Sequence, residues 1–410
     1  MLIGDDLMEK DHYEKRDKVV FHIIANAALG LGLSGGDRIF IECAKRWAKA
    51  GHKLSVYVWE EGYEMCRRNK LDNVKYVIWS NATFRNFGFT ILYIMRMIKG
   101  IIETLRMSIP EGSVIYSSSD FWPDSIPAWI LKMRFRKVKW VAGFYLFVSN
   151  PFDKESPYKG RLALKGLFYY LSQIPVYSLV RRYADMVFVT NELDGWRFID
   201  NKRLTPDRVI AVRGGVDTET PALIPEPKRK KFDAVFIGRF HPQKGVLELL
   251  DIWRYVCEVK KDAKLAVIGV GELESEVRTK IKKYDLENNV VLFGFKDGVE
   301  KLEIFKDSKV VVHPAIYDSG GMAACEAMAC RLPGVSFDLP ALRTYYPRGM
   351  LKTPRYDLKK FAENIISLLR DEGLYTKTAK DALSWAREWE WDKRAGQLLE
   401  AMKRLFGDEK

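Results

Sequence analysis

Short runs of β-branched and aromatic residues alternate with amphipathic stretches along almost the whole chain of 410 residues. In the first half, 19–24, 54–59, 74–79, 114–117, 138–142 and 186–190 read as buried strands, and 36–50, 87–107, 123–135 and 161–183 carry apolar residues at helical spacing. Strand, helix and strand in repeated succession predict βαβ units and hence a parallel sheet.

The alternation is interrupted once, by three prolines and four basic residues in 218–231, and then restarts. Strands are expected at 232–238, 264–269, 290–293, 309–313 and 333–337, with helices at 246–260, 272–284, 299–306 and 320–330. Two similar α/β halves joined by a Pro-rich linker predict two Rossmann-like domains, 18–217 and 232–385, facing each other across a cleft. Ligands of such sheets bind at the carboxyl ends of the strands, so the strand-to-helix loops are where chemistry is expected.

Charge separates the halves. Residues 1–215 carry 33 Lys+Arg against 23 Asp+Glu, whereas 216–410 carry 34 against 31. The surplus in the first half points to an anionic partner, either nucleic acid, an acidic membrane surface or a phosphorylated substrate. The five cysteines are scattered, without a C-x-x-C pair, which argues against a disulfide framework or zinc cluster and for a reducing, cytoplasmic setting. Residues 1–17 are charged and read as a frayed tail, and no apolar run is long enough to span a membrane.

Three loops carry candidate chemistry. The first, 25–36, contains Gly30, Gly32, Gly35 and Gly36 ahead of a helix, so its backbone could approach a ligand closely; a flexible turn is the competing reading. The second runs from Gly238 and Arg239 to Lys244 and Gly245. Two cations beside a helix start form a clamp for a diphosphate, against the alternative of two solvated surface charges. The third places Asp318, Ser319, Gly320, Gly321 and Met322 at the mouth of an Ala-rich helix that also holds Glu326. Amides between two carboxylates suit a nucleotide sugar: phosphate at the amides, ribose and sugar hydroxyls at the acids. A glutamate in an apolar helix is costly to bury without a partner.

In order, these pieces resemble retaining glycosyltransferases of family 4, with the GT-B architecture of two facing Rossmann-like domains. The resemblance rests on Gly35-Gly36-Asp37-Arg38, the turn Gly214-Gly215-Val216-Asp217, the Gly-Arg…Lys-Gly loop at 238–245, the acid-x7-acid spacing from Asp318 to Glu326, and Trp391. It implies a helix in 386–410 returning to the first domain, and a UDP- or GDP-linked sugar as donor. Arg239 and Lys244 would neutralise the leaving diphosphate, Glu326 would hold the ribose, and Asp318 with the amides of 319–322 would meet sugar and phosphate. No metal or other cofactor is implied, in keeping with the lack of any Asp-x-Asp pair.

Two positions depart from the family. Asp318 stands where glutamate is usual, and 143–151 lacks the family's histidine; none lies between His52 and His241. Tyr145, Ser149, Asn150, Asp120 and Asp124 are the polar candidates nearby. Asp120 is expected to position the acceptor or assist as a base; a helix N-cap is the competing role for Asp120 or Asp124. These departures leave a catalytically degenerate sugar-nucleotide-binding subunit as the alternative to a transferase. Basic, apolar segments at 87–107, 131–140 and 161–182 make an anionic membrane with a lipid-linked saccharide or other glycan acceptor the expected partner, against ordinary solvated helix faces. No nucleic-acid-binding signature is present.

Overall fold

The computed structural model describes residues 18–28, 33–80, 88–153, 156–199 and 203–407. Gly30, Gly32 and the expected tail 1–17 lie outside the described residues.

The first sheet contains β1 (Val20–Ile24), β2 (Lys53–Val58), β3 (Lys75–Ile78), β4 (Val114–Ser117), β5 (Lys139–Gly143), β6 (Met186–Val189) and β7 (Val209–Ala211). Its order is β3-β2-β1-β4-β5-β6-β7, and every pairing is parallel. The second contains β8 (Phe232–Ile237), β9 (Leu265–Ile268), β10 (Val290–Gly294), β11 (Ser308–His313), β12 (Gly334–Phe337) and β13 (Met350–Thr353). Its order is β10-β9-β8-β11-β12-β13, again parallel throughout. Interior strands such as β4, β6, β9 and β12 are buried at every residue, which is why they read as continuous apolar runs. The apolar pattern does not predict β7 or β13. Both are edge strands with one neighbour, β7 half-buried at all three residues and β13 mixing Lys352 and Thr353 into its run.

Strand order reverses between β1 and β4 in one sheet and between β8 and β11 in the other. The loops leaving these four strands therefore line the switch points, where ligands of open α/β sheets bind. The chain joins the sheets through Gly214, with φ +73°, and a short helix, Glu219–Leu223. At Gly215 a Cβ would lie 2.5 Å from the Trp391 ring, and the Val216 N–H donates to the Trp389 carbonyl at 2.8 Å.

The last helix, Trp391–Arg404, crosses back to the first domain. Trp391, Ala395, Leu398, Ala401 and Met402 join Phe40, Cys43, Ala44 and Trp47 in one core, and Trp47 Nε1 donates to the Ala395 carbonyl at 2.9 Å. Two Rossmann-like domains with this returning helix are the GT-B architecture. No helix among the described residues is long and apolar enough to cross a membrane.

Candidate active site

The loop after β8 is shaped by a residue that cannot carry a side chain. Gly245 has φ +64°, and a Cβ there would fall 1.9 Å from the Pro314 carbonyl oxygen of the loop after β11. The two loops are thus in direct contact. That contact delivers Lys244 Nζ to 2.5 Å from Asp318 Oδ2, with His313 Nε2 3.4 Å from the same oxygen. The Gly320 amide donates to Asp318 Oδ1 at 3.3 Å. Burial opposes ionisation of Asp318, but the Lys244 ammonium and His313 outweigh it and hold the carboxyl well below the usual range. Arg239 is the other expected half of the clamp. It is exposed, and its charge reaches Asp37 of the first domain and His241 of its own loop. Burial, then Arg239, pushes the His241 imidazole down to about 4, so it is neutral at pH 7.

The helix Met322–Ala329 begins at Gly321 without a side-chain cap, leaving its first amides for another acceptor. Glycines are required at its mouth: a Cβ would come within 2.4 Å of Tyr345 at Gly320 and 2.5 Å of the Tyr346 hydroxyl at Gly321. Met322 packs against Gly214 and approaches Gly35. Opposite stands the helix Gly35–Lys49, capped by Ser34 and Asp37 in a reciprocal capping box. Gly36 lies on the Tyr145 ring, 2.8 Å from a Cβ position. The Gly-Gly turn and the 318–322 segment, far apart in sequence, therefore meet.

Glu326 is paired on both oxygens. Arg38 Nη2 is 2.9 Å from Oε1, and Lys301 Nζ is 2.9 Å from Oε2. Asp297 extends the network, 2.8 Å from Lys301 and 3.9 Å from Arg38. Burial alone would raise the Glu326 carboxyl; Lys301 and Arg38 bring it below its ordinary value. Lys301 reaches Glu326 only through the fold, and Asp297, four residues before Lys301, meets Arg38 the same way. Arg38 directly follows the Gly-Gly-Asp turn, and that position was the available clue.

Ser319 uses its side chain for docking. Its hydroxyl donates to the Tyr145 carbonyl at 2.7 Å, joined there by the Thr190 hydroxyl at 2.5 Å, and the Ser319 carbonyl accepts from Asn191 Nδ2 at 2.9 Å. The Tyr317 hydroxyl donates to the Phe147 carbonyl. The loop after β5 is thereby fastened to the second domain.

Among the candidates for the missing histidine, Tyr145 turns its hydroxyl into the first-domain core, 2.5 Å from that of Tyr116, and Asn150 Oδ1 accepts from the Phe152 amide within a turn. Neither Asp120 nor Asp124 is an N-cap: the helix Trp122–Arg134 is preceded by Phe121, which makes no side-chain cap. Asp124 is tied to the Ser119 hydroxyl at 2.5 Å, the Ser118 hydroxyl at 3.1 Å and the Ala27 amide at 2.8 Å. Burial pushes it up to about 7. Asp120 accepts from Gln173 Nε2 at 2.7 Å and is pushed by burial up to about 6.

The basic segments are largely occupied by internal contacts. Lys132 pairs with Asp185 at 2.7 Å, Lys137 with Glu111 at 2.8 Å and Lys99 with Glu103 at 2.7 Å. Arg96 is buried, pairs with Glu61 and donates to the Asn26 and Ala28 carbonyls at 3.0 and 3.1 Å, so it braces the first loop. The helix Gly88–Arg106 exposes a row of aliphatic residues, Ile91, Ile94, Ile98, Ile102 and Leu105, together with Thr90 and Arg106.

Residues 222–385 match the family model of glycosyl transferases group 1, which covers most of the second domain. The chain is 24% identical over 225 residues to the poly(glycerol-phosphate) alpha-glucosyltransferase of Bacillus subtilis, covering 52% of this chain and 33% of that protein. It is 27% identical over 198 residues to the phosphatidyl-myo-inositol mannosyltransferase of Mycobacterium leprae, covering 46% of this chain and 52% of that protein. The chain thus spans from a third to about half of the length of these two relatives. Its fold is similar to that of S. aureus TarM in complex with fondaparinux, alpha-GlcNAc-glycerol and UDP, with a TM-score of 0.70, 13% identity, and 94% and 99% of the two chains covered. Fold and match together define a GT-B architecture whose second domain is similar to the group 1 glycosyl transferases.

Proposed function

We propose that the protein is a retaining glycosyltransferase that moves a sugar from a UDP- or GDP-linked donor to an acceptor hydroxyl. The observation that carries this reading is the second-domain arrangement: Lys244 on Asp318 at 2.5 Å, before an uncapped helix start, with Glu326 further along the same helix. Lys244 and the uncapped amides that begin the helix Met322–Ala329 receive the diphosphate, with exposed Arg239 supplying a second charge. Asp318 meets sugar hydroxyls and Glu326 the ribose.

In the proposed reaction the bond between the anomeric carbon and the diphosphate oxygen breaks, and the acceptor oxygen bonds to that carbon from the same face. The acceptor proton passes to an oxygen of the departing diphosphate, with Asp120 orienting the hydroxyl. Cationic side chains and amides carry the developing charge, so the proposal includes no metal. The names of the two relatives support transfer over a subunit that only binds the nucleotide. They also support an acceptor carrying phosphate or lipid, met at an anionic membrane surface. The aliphatic row on Gly88–Arg106 and the charge surplus of the first half favour that location.

A thermal-shift screen of nucleoside diphosphates and their sugars, followed by donor hydrolysis and transfer assays, tests the reading. UDP or GDP is expected to stabilise the protein and its sugar conjugate to turn over. Stabilisation with no hydrolysis or transfer for any acceptor would sink it.

A further inference from the structure

Gln173 lies in the helix Ala163–Tyr183 and is only 8% exposed. Its amide is used at both ends. Nε2 donates to Asp120 Oδ2 at 2.7 Å and to the Leu146 carbonyl at 2.8 Å, and Oε1 accepts from the Val148 amide at 2.9 Å. A primary amide has two N–H donors, and here both are engaged. The partners belong to the loops after β4 and after β5. The second of these is the loop whose Tyr145 and Phe147 carbonyls receive Ser319 and Tyr317, on either side of Asp318.

We propose that Gln173 is a positioning residue for Asp120, holding that carboxylate in register with the segment that carries Asp318. The inference rests on the glycosyl-transfer reading and adds a specific member to its acceptor side. A buried amide that only satisfied neighbouring backbone would need the Leu146 and Val148 contacts alone; the bond to Asp120 is additional and is made to the acid of the proposed reaction.

The contact has an electrostatic consequence. Burial pushes the Asp120 carboxyl up, and the Gln173 N–H opposes that by stabilising the ionised form. Tyr93 of the helix Gly88–Arg106 faces both Asp120 and Asp124. After the Gln173 N–H, the backbone amide of Asp120 itself stabilises the ionised form. Removing the Gln173 amide therefore raises the Asp120 midpoint, and the acid limb of the transfer profile moves to higher pH.

The test uses Gln173→Met, which keeps length without donors, and Gln173→Glu, which keeps an acceptor for Val148. Full-length protein labelled with 13C-aspartate gives the Asp120 carboxyl titration without donor or acceptor. The parent midpoint is expected near 6, and both variants above it, by about one pH unit for Gln173→Met. Transfer at pH 6 should fall about tenfold relative to pH 8, with the nucleoside-diphosphate thermal shift unchanged. A parent midpoint near 4, an unmoved midpoint in a folded variant, or an equal loss of rate at every pH would overturn the proposal. If the parent transfers no sugar, the functional reading fails, while the titration still decides the Gln173–Asp120 contact.

Discussion

Arg38 of the first domain and Glu326 of the second meet across the cleft, with Nη2 2.9 Å from Oε1. The pair links the Gly-Gly turn to the helix proposed to receive the nucleotide. On the other carboxylate oxygen stands Lys301, whose side chain is 6% exposed. A buried carboxylate with two cations is stable only while both remain.

Lys301→Met should therefore destabilise more than its exposure or position suggests, by about 3 kcal/mol or more, because Glu326 loses one of its two compensating charges. Urea unfolding monitored by tryptophan fluorescence checks this. Lys301→Met combined with Glu326→Gln should recover much of the loss, since no uncompensated charge is then left.

Lys244→Met is expected to lower transfer by about 10²-fold, the usual cost of one donor that stabilises developing negative charge. Titration calorimetry with UDP and GDP should show weaker binding as well. A variant with parental kcat/KM would remove Lys244 from the diphosphate site.

Gly245→Ala and Gly396→Ala should differ sharply. The first places a methyl group on the Pro314 carbonyl at a position with φ +64°, pushing the Lys244 loop away from Asp318. Loss of about 2 kcal/mol or more and of most activity is expected. Gly396 lies within the returning helix with nothing within 4 Å of a Cβ. Alanine there should be neutral or stabilise by up to about 1 kcal/mol. Thermal melts of both variants decide the matter.

Asp124 gives the fold a pH dependence of defined sign. Its folded midpoint, about 7, is above the ordinary aspartate value, so its stabilisation is full below about pH 4 and is lost as pH rises through 7. Stability curves of Asp124→Asn against the parent should show a flatter slope between pH 4 and 7. An unchanged slope would show that the acid does not titrate there.

The sequence made the parallel sheets legible because interior strands, covered on both faces, leave unbroken apolar runs. It could not show β7 or β13, whose short edge runs mix polar and half-buried residues. At the site, Asp318, Lys244 and Glu326 were readable because each sits in a glycine-punctuated loop or an otherwise apolar helix. Lys301, Gln173 and His313 were not. Their roles depend on partners such as Glu326, Asp120 and Asp318, and in the cases of Gln173 and Lys301 these lie 53 and 25 residues away in the chain. Within 131–140, Lys132 and Lys137 find acids that only folding brings close.

The seam beside Asp318 is written largely in main-chain oxygens: the carbonyls of Tyr145 and Phe147 receive the hydroxyls of Ser319 and Tyr317. A carbonyl is present whatever side chain its residue bears. Substitutions that leave the backbone path unchanged can therefore recast the first domain's cleft wall without dismantling this joint. Such a joint lets one half of a molecule diversify while the other stays recognisable, in keeping with a family match confined to 222–385 within a fold shared along 94% of the chain.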